Sequence, residues 1–185
     1  MTLRTTLLGT LIVALVHTGV LVKFIYDRAQ ALQSGQEVVV ESGFIDPRDL
    51  FRGHYTRLNL EISRIEKSQV EILGSFKRND PVYVELDTST PFAKPVRLSK
   101  IPFESPKGPV LKGKSRSNST RDTEKTIRIT FPFNRFYADK TRALELENMQ
   151  RNQQLGVILS VTPDGTAMIK GLTLKGEKIY EEAVY

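Results

Sequence analysis

Few side chains in this sequence have the type and spacing to do chemistry. Ser42 with Lys77 or Lys100 would supply a serine nucleophile and an amine base, enough for acyl transfer without histidine. That lysine would have to be desolvated, and Ser42 lacks a serine-methionine signature around it. Asp46 and Asp49 suit helix capping better than acid–base work. Glu145 and Glu147, two apart on a helical pattern, point in different directions. His17 and His54 are too few and too separated for a typical histidine metal cluster. The absence of cysteine excludes disulfides, thiol catalysis and cysteine–zinc sites. Gly108 and Gly113 lack the Gly-Lys-Ser/Thr ending of a phosphate loop. The expectation is therefore a protein that is not an enzyme and holds no metal or cofactor.

Charge is the next signal. The net charge of +6 is unevenly spread: Lys94 to Arg128 holds ten Lys/Arg and three Asp/Glu, leaving −1 for the rest. Such a stretch suits an envelope polyanion, anionic lipid or an acidic partner, or serves only as a solvated, solubilising loop. Nucleic acid is not expected, because no aromatics interleave the basic residues to stack on bases. Hydrophobic content of 39% and charged content of 26% are those of a folded chain.

The elements that must position these residues begin with Thr5 to Val22, 18 uncharged and mainly apolar residues between Arg4 and Lys23. As a helix this run spans about 27 Å, close to a hydrocarbon core. Phe24, Ile25 and Tyr26 extend it into the interface. Ala29-Gln30-Ala31 resembles a signal-peptidase site, but Lys23, Asp27 and Arg28 separate it from the apolar run, so an uncleaved anchor is preferred. Positive charge is nearly even on its two sides and does not set orientation. Thr6, Thr10, Ala14 and Thr18 recur every four residues as a stripe of small side chains, with His17 beside it. Such a stripe admits close helix–helix contact with a multi-pass partner or a second copy; the alternative is that the threonines bond their own backbone.

The division expected is an anchor over 1–27, a juxtamembrane helix end over 28–36 stopped at Ser34-Gly35, and a β-rich domain over 37–185. In that domain Glu37 to Ser42 is β-branched. Pro81 opens a strand with Val82, Val84 and Leu86 on one face and Tyr83 and Glu85 on the other. The proline-bearing stretch Phe92 to Phe103 predicts an edge strand. Ser115 to Thr120 reads as a mobile loop. Ile127, Ile129, Phe131 and Phe133 alternate as a half-buried strand, and Lys140 to Gln154 carries Ala143, Leu146 and Met149 at helical spacing. Leu155 to Val161, a Pro163-Asp164-Gly165 turn, Met168 to Leu174, Gly176 and Lys178 to Val184 form a closing meander.

Between the first strand and Pro81 lies Asp46-Pro47-Arg48-Asp49-Leu50-Phe51-Arg52-Gly53-His54-Tyr55-Thr56-Arg57-Leu58. Asp46 caps a short helical turn, Pro47 takes its first position, and Asp49 sits where the N–H groups point outward. Leu50 and Phe51 anchor it, Gly53 ends it, and a strand from His54 to Ser63 follows, with Thr56, Leu58, Leu60 and Ile62 on one face. This stretch resembles the signature of the GDYXXLXY family, small bacterial proteins with an N-terminal membrane helix and no established activity. The resemblance extends to a tract like Phe133 to Glu145 and to the run Asp164 to Gly176. The chain departs from the pattern at His54, at Leu60 and around Ala138-Asp139-Lys140. It implies an inner-membrane, single-pass protein with an extracytoplasmic domain, and a multi-pass membrane protein as partner, since family members are often encoded beside one.

The expected fold is mainly β (α+β): a transmembrane helix, then a compact, mostly antiparallel β domain with one packed helix. The expected role is a non-enzymatic accessory module for another membrane protein. Polyanion or anionic-lipid binding through 94–128 is the alternative. A Ser/Lys hydrolase, on a faint resemblance to type I signal peptidases, comes third.

Overall fold

A computed structural model of the chain describes residues 3–43, 55–118, 125–133, 135–137 and 155–182. The first element is one unbroken helix, α1 (Leu3–Ser34). From Leu7 to Tyr26 its large apolar side chains are between 56% and 74% exposed, on every face. A helix apolar all round and covered by nothing is suited to lipid. By length and composition it is able to cross a membrane.

The rest is β. One five-stranded antiparallel sheet contains β1 (Gln36–Gly43), β3 (Asn59–Leu60), β11 (Leu155–Val161), β12 (Ala167–Leu174) and β13 (Glu177–Glu181), ordered β13-β12-β11-β1-β3. Its centre is the long pairing of β1 with β11, from Gln36↔Val161 to Ser42↔Leu155. A second sheet is ordered β4-β9-β8-β6-β7-β5. It consists of β4 (Arg64–Glu66), β5 (Glu71–Leu73), β6 (Pro81–Asp87), β7 (Lys94–Ser99), β8 (Val110–Ser115) and β9 (Thr126–Thr130). β2 (Tyr55–Arg57) pairs with β10 (Arg135–Tyr137).

The second sheet cannot be flat. Five gaps of about 4.8 Å would hold its edges about 24 Å apart. Yet edge strands β4 and β5 are joined by residues 67–70 alone, a connection that reaches about 18 Å when fully extended. The sheet therefore curls its edges toward each other. Inside lie Val82, Val84, Leu98, Leu111, Ile127 and Ile129, each at most 3% exposed and worth about 2 kcal/mol of burial. The same core continues through Leu58, Leu60 and Ile62 to Val38, Val40, Val157 and Leu159 of the first sheet. The β11–β12 turn ties the two sheets together, because Lys112 N–H donates to the Gly165 carbonyl at 2.8 Å. Gly165 makes that turn possible with φ +85.

Three expectations need correction. The proline-bearing strand β7 is not an edge: β5 covers it in parallel at Arg97, Leu98 and Ser99. Pro95 escapes that pairing, so its missing N–H falls where β7 has no outer neighbour. Ser115 is a fully buried β8 residue rather than part of a mobile loop. Its Oγ donates to the Ser117 carbonyl, Ser117 Oγ accepts from Arg128 N–H, and Asn118 Oδ1 accepts from Arg78 N–H. The strand expected over His54 to Ser63 is divided, β2 and β3 joining different sheets before a 3-10 turn at Glu61–Ser63. Its inward face survives the division: Leu58, Leu60 and Ile62 are all buried. The helix expected over 140–154 lies outside the described residues.

Candidate functional site

The sequence marks the helix stop at Ser34-Gly35 but not the contacts made there, and these join α1 closely to the domain. Helix growth stops at Ser34, whose Oγ donates to the Gln30 carbonyl, and Gly35 leads straight into β1. Leu32 on the last turn is 3% exposed. Ser160 of β11 donates from Oγ to the Ala31 carbonyl at 2.7 Å, satisfying one of the acceptors a helix C-terminus leaves open. A Cβ on Gly35 would lie 2.1 Å from Ser160 Oγ and 2.9 Å from the Ala31 carbonyl oxygen. Only glycine lets helix and sheet approach this closely. Farther out, Arg28 reaches Glu182 at 3.4 Å. The helix is thus fastened to the outer face of the first sheet, and all seven residues of β11 are buried.

Thr6, Thr10, Ala14, His17 and Thr18 all lie in α1, before this docked end. Thr10, Ala14, His17 and Thr18 are exposed, and the His17 ring contacts the Val13 carbonyl through Nδ1 at 2.9 Å. One ring nitrogen of His17 is thus engaged within its own helix, beside the exposed stripe. Of the corner residues, Asp46, Pro47, Arg48, Asp49, Arg52 and Gly53 lie outside the described residues. Tyr55 pairs with Tyr137, and Leu58 is buried.

The GDYXXLXY protein family matches residues 17–172 of this sequence. The chain belongs to the GDYXXLXY family. No curated protein and no solved structure matches it. The GDYXXLXY match opens within α1 and closes within β12, so it takes in the helix–sheet junction, the second sheet and the first sheet up to β12, leaving out β13. The terminal GDYXXLXY run from Asp164 builds the β11–β12 turn. The Asp164 carboxylate accepts from both threonine hydroxyls, Thr162 Oγ1 and Thr166 Oγ1, and these bonds hold it below the usual carboxylate range.

Two polar clusters lie elsewhere. Glu85, 1% exposed, accepts from Arg97 Nε and from the N–H groups of Lys107 and Gly108. The Arg97 guanidinium lies 4.9 Å from the Phe103 ring centroid. These bonds, that to Arg97 foremost, lower the Glu85 carboxyl below its ordinary range against the effect of burial. The cluster clamps the connection after β7 over the sheet's outer face. Separately, a groove of about 1020 Å³ opens between the sheets and is lined by Glu41, Glu61, Arg64, Lys94, Arg128 and Phe131 among others. Burial first, then the neighbouring Glu61 carboxylate, raises Glu41 above its ordinary range, while Lys94 opposes the shift.

Neither cluster assembles the serine–lysine pair. Ser42 Oγ donates to its neighbour Gly43's carbonyl, and Lys100 binds Asp80 at 2.8 Å. Among the described residues, the cations of the basic stretch 94–128 differ in their surroundings. Arg97 and Lys100 are spent on Glu85 and Asp80, whereas Lys112, Lys114, Arg116 and Arg128 stay exposed.

Proposed function

We propose that this protein is a non-enzymatic, single-pass accessory module of the inner (cytoplasmic) membrane, its β domain extracytoplasmic, that docks on another membrane protein. The observation that supports this most is the fastened junction. A flexible tether would uncouple the membrane helix from the domain. A helix locked by Ser160, Leu32 and Gly35 presents its small-residue stripe and the domain together as one composite surface. Retention of α1 is supported by the same contacts, because Ala29-Gln30-Ala31 lies within a helix whose Ala31 carbonyl is held by the domain. The stripe supports close helix contact, with Thr10, Ala14 and Thr18 exposed along one face.

The test is affinity purification of the tagged full-length protein from crosslinked native membranes, followed by mass spectrometry. The expected result is one stoichiometric multi-pass partner in the wild type, reduced at least tenfold by Ala14→Leu, which bulks the stripe while keeping its apolarity. Recovery of the protein by itself, or association unaffected by Ala14→Leu, would overturn the proposal.

A further inference from the structure

Three arginines stand side by side on the outer face of the curled sheet. Arg64 in β4 is the direct cross-strand partner of Arg128 in β9. Arg116, just past β8, donates its N–H to the Arg128 carbonyl at 2.7 Å, which places it on the other flank of Arg128. All three side chains are exposed. β8 adds Lys112 and Lys114 to this face, since they alternate with buried Leu111, Gly113 and Ser115. Among the described residues none of the five has an ion-pair partner, and Lys112 leans over Tyr83 with its Nζ 5.9 Å from the ring centroid. Glu66, opposite Thr126, is the one acid on β4, β9 and β8; Arg64, Arg116 and Arg128 also border the groove between the sheets, whose lining includes Glu41, Glu61 and Asp87.

Like charges placed directly opposite each other weaken an antiparallel pair. Arg64 against Arg128 is therefore an arrangement the fold does not need, and it becomes favourable once an anion lies across it. The backbone positions that carry them are about 4.8 Å apart between strands and about 6.8 Å apart along β8, so they tile a surface rather than line a slot. Arginine's planar fork suits phosphate oxygens in particular.

We propose that this face docks on the phosphate headgroups of anionic phospholipid in the membrane that α1 enters. The choice of lipid follows from the tether. Tyr26 at the end of the apolar run and Ala31 in the docked turn are separated by about 8 Å of helix, which keeps the domain beside the headgroups. The proposal rests on retention of α1 in the membrane. Sequence alone could not assemble the face, because Arg64 lies outside the basic stretch and the sheet order brings it to Arg128.

The experiment uses the full-length protein in nanodiscs of phosphatidylcholine alone or with phosphatidylglycerol. Arginine modification by phenylglyoxal is read residue by residue by mass spectrometry at low salt. Elution of the protein with the discs reports membrane retention separately from docking. The expected result is at least fivefold protection of Arg64, Arg116 and Arg128 in the anionic discs, lost at 0.5 M salt (roughly the regime where screening lengths fall below about 5 Å), with exposed Arg78 unprotected. Equal modification in both lipids overturns the proposal, as does equal protection of Arg78, which would mean general charge screening. Protection by soluble polyphosphate in neutral discs, with none from phosphatidylglycerol, also overturns it and reassigns the face to a free polyanion.

Discussion

Glu85 shows how a single side chain can be misjudged from alternation. Its neighbours Val84 and Leu86 face the core, so a strand pattern assigns Glu85 to the other face, and that is where it lies. The pattern has no means of showing that the chain from Ser99 to Gly108 returns to cover it. Deleting its charge would strand Arg97, whose Nη2 is already buried without a partner. Glu85→Gln is expected to destabilise by about 2–3 kcal/mol at neutral pH, below the range for a wholly buried pair because Arg97 remains a quarter exposed. Denaturant unfolding of the full-length protein in detergent checks this. The sign with pH follows from the direction of the shift. A carboxyl lowered by folding contributes above its unfolded range, about pH 4, and that contribution is lost as pH falls through the folded value. The variant should therefore lose less stability than wild type on acidification below about pH 4. Glu41 has the opposite sign: raised by folding, it opposes stability at neutral pH and ceases to do so in acid. Glu41→Gln is thus expected to raise neutral-pH stability, read as an upward shift of the denaturant midpoint that disappears in acid.

At the scale of elements, the helix stop at Ser34-Gly35 was legible in the sequence, and so were the strands Val82–Leu86, Ile127–Ile129 and Leu155–Val161. Local alternation and turn residues specify these, and nothing distant has to be known. The parallel pairing of β5 with β7, by contrast, joins residues 26 apart in sequence (Glu71 with Arg97) through a register that no local pattern records. Ser160 belongs to the same class. It reads as a polar position in an apolar strand, and its reason is a helix carbonyl 129 residues away. Gly35→Ala tests that junction. The added methyl would press on Ser160 Oγ and on backbone at Ala31 and Val161, so a loss of about 1–3 kcal/mol is expected. Faster hydrogen exchange confined to the α1 end and β11 would show that the damage is local; unchanged stability would mean that the helix end has room to shift.

For the molecule as a whole, the apolar run and the alternating segments after it carried the architecture as far as an apolar helix followed by a mainly β domain; that one core serves two sheets was not legible. What composition did not carry is curvature, which arises from the order β4-β9-β8-β6-β7-β5 together with a short β4–β5 connection. The basic residues show the same limit, since a one-dimensional count merges ion-paired Arg97 with exposed Arg128 and omits Arg64. Retention of the helix is a property of the entire chain. The protein is expected to remain in the membrane pellet after alkaline carbonate washing, with peptides N-terminal to Ala31 still present by mass spectrometry. A carbonate-soluble chain lacking them would mean that α1 is removed.

The unhinged passage from α1 into β1 makes the molecule a lever. A membrane helix adjusts its tilt to the thickness of the bilayer around it. Were α1 to cross a bilayer, Gly35 closed against Ser160 and the direct passage from helix to strand would pass such a tilt on to the domain. Thinning or thickening of the bilayer would then change which side of the β domain leans toward the lipid, a mechanical reading of the membrane that requires no ligand.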